Sequence, residues 1–156
     1  MTLAEEHVND AARSHPFLPA SLIIEGIAQT AGLLLAEHGN YEERVVLAKI
    51  SKSVFHCLAR PGDTLTYTVE IIQMDPKGAS VTAESHIGEK LQAEVDLFFA
   101  HLDDRDGARE LFHPYDLACL TQSLRIYDIA VDTDGNRLEV PPIFAEAIDP
   151  LLSPER

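Results

Sequence analysis

Two polar side chains interrupt a long apolar segment near the start of the chain, and their types suit them to chemistry. Glu25 and Gln29 stand four residues apart in a stretch that is otherwise almost entirely hydrophobic or small. If the stretch is helical, both side chains lie on one face. A helix that is apolar on nearly every side is typical of a buried position, where an unpartnered carboxylate is costly. We therefore expect Glu25 to be either held by structural hydrogen bonds or used in proton transfer.

The segment that carries this pair predicts a single long helix. A proline-punctuated loop, residues 15–19, precedes it, and we expect the helix to begin near Ala20 or Ser21, where a hydroxyl can cap the first-turn amides. Gly39 predicts its end, because glycine readily adopts the left-handed conformation of a helix cap. The helix would then have about five turns.

From Val45 onward the pattern changes to β-structure. Apolar and polar residues alternate over 64–71 and again over 91–99, where Gln92, Glu94 and Asp96 occupy the polar positions. Turn residues separate the segments at 60–63, at 75–78 and at Gly88. The predicted strands are 45–50, 54–58, 64–71, 81–87 and 90–99. This order predicts an α+β fold in which an antiparallel sheet wraps around one long central helix.

Composition limits the classes of partner and the number of domains. The chain of 156 residues has 46% hydrophobic residues, which is enough for one core, and a formal net charge of −14. Nucleic acids and anionic membranes require clustered cations, so the acidic balance argues against both. We expect a cytoplasmic protein, with Cys57 and Cys119 as reduced thiols, because no secretory signal or membrane span is evident.

Two motifs resemble those of a known family. Pro16, Pro19, Leu22, Glu25 and Gln29 match the loop and helix start of the 3-hydroxyacyl-acyl-carrier-protein dehydratases (FabA/FabZ-like) of type II fatty acid synthesis. The second motif is Arg-Pro-Gly-Asp at 60–63, before the long strands. The resemblance covers roughly residues 5–101 and implies the hot-dog fold, in which the sheet wraps around the helix. We assign residues 1–102 to this domain and 103–156 to a C-terminal helix and extended tail packed on it.

The resemblance implies a site for removing water from a 3-hydroxyacyl thioester. Glu25 would be the acid that protonates the departing hydroxyl, and Gln29 would orient it. The backbone amides of Ala20 and Ser21 would face the thioester oxygen. The acyl chain would lie near three small residues of the helix, Gly26, Ala31 and Gly32.

The expected base is where the chain departs from the family pattern. An ungapped alignment places Ala11 at the position of the family's catalytic histidine, and His15 falls on a variable position four residues later. His15 is a candidate for the base, although loop packing is the alternative for it. Two hypotheses follow. The chain is a dehydratase or a related hydratase or acyl thioesterase, or it is a non-catalytic homologue that binds acyl thioesters or pairs with an active subunit.

A basic segment in the acidic chain suggests how a substrate carrier could bind. The segment between residues 44 and 60 contains four cations and no acidic residue, namely Arg44, Lys49, Lys52 and Arg60. Acyl carrier proteins are acidic and phosphopantetheine carries phosphate, so the segment is a plausible docking surface. The alternative is that these cations only solubilise a strand edge. We expect the substrate to be a thioester of acyl carrier protein or CoA, and the protein to be a homodimer or higher homo-oligomer.

The remaining residues give no sign of a metal or cofactor. His7, His38, His56, His86, His101 and His113 do not have metal-ligand spacing, and the acidic turn at 132–136 lacks the Glu of a calcium loop. Beyond residue 101, Pro114 opens a predicted helix with Leu117, Leu120, Leu124 and Tyr127 on one face. The proline-rich segment 140–156 is predicted to be extended.

Overall fold

The computed structural model describes residues 16–41, 44–102 and 114–144. Contacts divide the chain into two compact units, Met1–Leu102 and Asp103–Arg156. Among the described residues, the first unit contains one helix and a four-stranded sheet, and the second contains two short helices. The predicted packing of residues 103–156 on the sheet stays a prediction.

The long helix α1 spans Ala20–His38, which confirms the predicted bounds, but both predicted caps are wrong. The N-cap residue is Pro19, and no side chain caps the first turn. At the other end, Gly39 has a φ of −86°, and the left-handed conformation is taken by Asn40 and Tyr41 instead. The Tyr41 amide donates to the Ala36 carbonyl at 2.7 Å, and this bond closes the last turn of the helix.

The sheet is antiparallel throughout, with the strand order β1-β4-β3-β2. Two strands predicted at 45–50 and 54–58 are one continuous strand, because pairing with β4 runs through the intervening residues with two register shifts. The strands are β1 Val45–Phe55, β2 Leu65–Asp75, β3 Gly78–Ile87 and β4 Lys90–His101.

The core lies between one face of the sheet and one face of α1. Alternating residues of β3 and β4 supply the sheet side, and the helix contributes Ile23, Ile27, Ala28, Ala31 and Leu35. The prediction that α1 is buried on nearly every side is therefore wrong for this chain. The opposite face of α1 carries Glu25 and Gln29 and is not covered by the sheet.

Among the strands that the structure describes, β1 lies at an edge of the sheet and is exposed. Only its first two residues are partly buried, and the rest are exposed. Register with β4 places Leu47, Ile50 and Phe55 on the side that faces α1, opposite core residues, and yet they are 39%, 45% and 36% exposed. Unpaired edges with apolar side chains favour association with another chain.

The second unit contains α2, Pro114–Ser123, and α3, Ile126–Ile129. The sequence predicts one continuous helical face through Tyr127, but Arg125 adopts the left-handed conformation with a φ of 54° and separates the two helices. The Asp132 carboxylate accepts hydrogen bonds from the amides of Asp134 and Asn136, which confirms a turn. Residues 142–144 form a short helical turn where an extended segment was predicted.

Candidate functional site

Glu25 and Gln29 form a hydrogen-bonded pair on the uncovered face of α1. Gln29 Nε2 donates to Glu25 Oε1 at 2.8 Å, as the four-residue spacing predicts. Both side chains are exposed in the single chain, contrary to the expectation of burial. The bond uses one carboxyl oxygen, Oε1, and among the described residues no hydrogen bond reaches the other, Oε2.

The start of α1 presents backbone amides beside this pair. The first hydrogen bonds of the helix come from Leu22 and Ile23, whose amides donate to the Pro19 carbonyl at 3.0 and 3.3 Å. The amides of Ala20 and Ser21 precede these bonds, at exposed residues. Such first-turn amides and the helix dipole favour negative charge.

Helix geometry relates these amides to the carboxyl. Ser21 is four residues before Glu25, so the two residues lie on the same face of α1. The loop that leads into the helix is fixed by the Leu18 amide, which donates to the Ala59 carbonyl at 2.8 Å. A carboxyl able to transfer a proton therefore stands one turn from donors able to stabilise an oxyanion.

The three residues predicted to line an acyl channel have different surroundings. A Cβ atom at Gly26 would lie 2.7 Å from Tyr67 Cε2, so the tyrosine ring already fills the space beside this glycine. Ala31 is fully buried in the core, whereas a Cβ atom at Gly32 would meet nothing within 4 Å. Only Gly32 adjoins open space, and the role of the three residues in acyl binding stays a prediction.

Partial burial of Tyr67 against the helix also affects its ionisation. Removal of the phenol from solvent raises the pKa of Tyr67 above its ordinary value of 10.0. The side chain is therefore a neutral hydroxyl at physiological pH. It contributes a hydrogen-bonding group, and no charge, to the space between α1 and β2.

The four predicted cations lie on β1 or in the segments that flank it. Register with β4 places Lys49 and Lys52 on the face of β1 that points away from α1. Lys52 Nζ lies 3.6 Å from Glu94 Oε1, and this contact offsets part of its charge. Arg44 precedes the strand, and Arg60 lies in the turn that follows it. The backbone amide of Arg60 donates to Asp63 Oδ2 at 2.7 Å.

Glu94 contacts His56, which directly follows β1, as well as Lys52. His56 Nε2 lies 2.9 Å from Glu94 Oε2. The hydrogen bond from His56, followed by the charge of Lys52, lowers the pKa of Glu94 below its ordinary value of 4.5. The carboxylate therefore stays charged to lower pH than a free glutamate side chain.

The first unit of the chain matches a known protein family. Residues 6–91, more than half of the 156-residue chain, match the model of the FabA-like domain. The chain belongs to the FabA-like domain family. The match includes α1 with its Glu25–Gln29 pair and the strands up to the start of β4.

Two curated relatives of this FabA-like domain share a name. The 3-hydroxyacyl-acyl-carrier-protein dehydratase FabZ of Levilactobacillus brevis is 32% identical over 108 residues, covering 67% of this chain and 73% of that protein. The dehydratase FabZ of Chlamydia caviae is 35% identical over 91 residues, covering 56% of this chain and 59% of that protein.

A solved structure supports the architecture of the FabA-like domain. A probable thioesterase from Bartonella henselae superposes with a TM-score of 0.52 at 15% identity, covering 64% of this chain and 85% of that one. At this identity the likeness shows the fold alone. Together with the family match, it establishes the predicted α+β hot-dog fold.

The candidate for the base lies outside the described residues. His15 precedes residue 16, and so does Ala11, which stands at the position of the family's catalytic histidine. Their roles in the FabA-like domain therefore stay predictions. Within residues 16–41, 44–102 and 114–144, no group of three His, Cys, Asp or Glu side chains could hold a metal ion.

The sequence missed one buried polar side chain in the FabA-like domain. Alternation placed Gln92 with the outward-facing residues of β4, but it is only 1% exposed. Pairing with β3 skips this residue, and its Nε2 atom donates to the Cys57 carbonyl at 2.9 Å. A β-bulge has no sequence signal here, because period-2 alternation continues unbroken on both sides.

Proposed function

We propose that this FabA-like protein eliminates water from 3-hydroxyacyl thioesters of acyl carrier protein or CoA. The observation that carries the proposal is the Glu25–Gln29 hydrogen bond of 2.8 Å on the helix face that also presents the Ala20 and Ser21 amides. The names of the curated relatives, both dehydratases, support the same reaction.

Each group has one role in the proposed reaction. A base removes the C2 proton, and the electron pair moves into the thioester as its oxygen gains negative charge. The amides of Ala20 and Ser21 stabilise that oxygen. Glu25 then gives its proton to the C3 hydroxyl, which leaves as water and yields a 2-enoyl thioester. His15 is the candidate for the base, and proton transfer from the base returns Glu25 to its acid form.

Gln29 is proposed to position the carboxyl. Its amide donates to Glu25 Oε1, which restricts rotation of the carboxyl and leaves Oε2 for the substrate hydroxyl. Holding the carboxyl in one orientation favours proton transfer from Glu25, because the rate of proton transfer depends strongly on distance and direction. Gly26, Ala31 and Gly32 are retained as the proposed acyl-binding residues, with Gly32 adjoining the open space.

The site is proposed to be completed by a second copy of the chain. Glu25 and Gln29 are exposed, and so are the apolar residues of β1 that face the α1 side of the sheet. A homodimer, or a larger homo-oligomer built from it, would cover both surfaces. Covering them would also exclude water from the carboxyl and strengthen its electrostatic interactions.

The carrier is proposed to dock on the basic segment. Lys49 is the exposed cation of β1 with no acidic contact among those described, whereas Lys52 already contacts Glu94. Arg44 and Arg60 flank the strand and complete the set of cations. A metabolic enzyme that uses soluble carriers fits a cytoplasmic location. The 19-residue helix α1 is apolar enough to span a membrane by composition, but its buried face packs on the sheet.

One sequence observation supports a second candidate function. Ala11 occupies the position that resemblance assigns to the family's catalytic histidine. A homologue without a base would bind acyl thioesters, or pair with an active subunit, without turning them over. Hydrolysis of the thioester is a further alternative, because the fold is shared with a probable thioesterase.

Product analysis separates these candidates. The purified protein is incubated with 3-hydroxyacyl-CoA substrates of short and medium chain length, and the products are identified by mass spectrometry. Loss of water indicates a dehydratase, release of free CoA indicates a thioesterase, and binding without product indicates a non-catalytic homologue. We expect loss of water.

Glu25→Gln tests the assigned acid. We expect it to lower kcat/KM by about 10²–10⁴-fold, because the amide cannot supply the proton. Glu37→Gln, on the same helix about three turns further along, is the matched control and should leave kcat/KM unchanged. Equal activity of Glu25→Gln and the wild type would remove Glu25 from the mechanism.

A further inference from the structure

The second unit contains a cavity that the proposed dehydration does not use. Its volume is about 430 Å³, which lies within the range of small-molecule pockets. The walls include some of the most buried side chains of this unit, with Ala118 and Phe144 each 1% exposed. Tyr127 packs edge-on against Phe144, with ring centroids 6.4 Å apart. The cavity is open to solvent, because Gln122, Arg125, Asp128 and Val140 in its lining are exposed, and its lining is mainly apolar.

Polar groups collect at one part of the cavity lining. They are Gln122, Arg125 and Asp128, and all three are exposed residues. Arg125 Nε lies 2.6 Å from Asp128 Oδ2. This bond uses one of the five N–H donors of the guanidinium, and the other four are on the terminal nitrogens, which could donate to a ligand.

The backbone of Arg125 is strained at this position. Its φ of 54° and ψ of 37° place it in the left-handed region, directly between α2 and α3. This is the region in which glycine normally stands after a helix, because a Cβ atom is disfavoured there.

We propose that this cavity binds a small carboxylic acid with an apolar tail, of the fatty-acid type. The tail would lie against Tyr127 and Val140, the apolar lining residues with accessible surface, and the carboxylate would accept hydrogen bonds from the terminal nitrogens of Arg125. Guanidinium groups recognise carboxylates in this forked geometry. The site belongs to the second unit alone and is independent of Glu25 and of the proposed dehydration.

Binding is measured on the full chain by isothermal titration calorimetry with octanoate. Two probes separate the parts of the ligand: octanol retains the tail without the charge, and acetate retains the charge without the tail. We expect octanoate to bind saturably at one site per chain. Octanol should bind more weakly by about tenfold or more because it lacks the charge-assisted contact, and acetate should do so because it buries no tail.

Arg125→Gly is the main variant, because glycine suits the left-handed backbone and the fold should not suffer. We expect its Tm to be equal to or above that of the wild type, while octanoate binding weakens by about tenfold or more. Arg137→Gln is the matched control: it also removes one surface arginine of the second unit, but Arg137 does not line the cavity. Its affinity should remain that of the wild type.

Four results would overturn the proposal. The first is that octanoate does not saturate the wild-type protein. The second is that Arg125→Gly binds octanoate as tightly as the wild type does. The third is that Arg137→Gln loses as much affinity as Arg125→Gly, which would indicate a general charge effect. The fourth is that Glu25→Gln, which should bind octanoate normally, loses binding, because that would place the site in the first unit.

Discussion

The surroundings of Glu25 within a single chain do not by themselves account for its proposed catalytic role. Its side chain is exposed and has one hydrogen-bond partner, Gln29, from its own helix. The spacing that brings the two together is visible in the sequence. The proposed catalytic role requires that another surface covers this carboxyl and excludes water from it.

Glu94 provides a prediction at the same scale. We expect its carboxyl, followed by NMR through a pH titration, to have a pKa below 4.5 in the wild type. His56→Ala should raise the pKa of Glu94 towards 4.5, and Lys52→Ala should raise it less, because the hydrogen bond from His56 is the larger cause. His38→Ala, which alters a histidine on α1, is the control.

The sign of the associated stability follows from that lowered pKa. The folded protein holds Glu94 in its charged form more strongly than the unfolded chain does, so the contact stabilises the fold above the ordinary pKa. This contribution is lost as the pH falls below 4.5 and through the lowered pKa. An unchanged Glu94 titration in His56→Ala would contradict the assigned cause.

At the scale of elements, α1 is held against the sheet by close contacts that leave no room for larger side chains. Gly26 is the clearest case, because Tyr67 on β2 occupies the volume that a Cβ atom would need. Glycine within a helix costs stability relative to alanine, so its presence here is explained by the tyrosine. The contact between α1 and Tyr67 of β2 therefore explains why residue 26 is glycine.

A double-mutant cycle tests this contact. In a Tyr67→Ala background, Gly26→Ala should raise the free energy of unfolding by about 0.5–1 kcal/mol, the usual gain in helix propensity. In the wild type the same change should be less favourable by about 1–3 kcal/mol, the usual cost of overpacking. Urea unfolding measures both. Additive effects would show that Tyr67 does not restrict residue 26.

At the scale of the whole molecule, two uncovered surfaces adjoin the same core. One is the face of α1 that carries the site, and the other is the α1-facing side of β1, with exposed Leu47, Ile50 and Phe55. An edge strand of eleven residues without proline is a ready partner for another strand. We expect the active form to contain at least two chains.

Ile50→Lys tests the assembly. Multi-angle light scattering of the wild type should give a mass of at least twice 17.2 kDa, and Ile50→Lys should shift the protein to monomer because a charge would be buried in the interface. Ile72→Lys is the control, since Ile72 is 61% exposed on the opposite edge strand β2. A monomeric wild type would contradict the proposed dimer.

Several features of the fold could be predicted from the sequence because they depend on local periodicity. The bounds of α1, the turn at 75–78 and the hairpin at Gly88 follow from residue types within a few positions of each. Pairing of Glu25 with Gln29 follows in the same way from helical spacing. The caps of α1 were wrong, since backbone groups close both ends in place of the predicted Ser21 hydroxyl and Gly39.

The sequence by itself determined which residues share a face of each element, and only the tertiary structure decided which faces are covered. Periodicity gives the direction of a side chain relative to its own backbone, whereas burial depends on a second element that the pattern does not name. Glu25 was therefore expected to be buried and is exposed, and Gln92 was placed among exposed residues and is buried. The sheet packs against one side of α1, and the bulge in β4 turns Gln92 inward towards the Cys57 carbonyl.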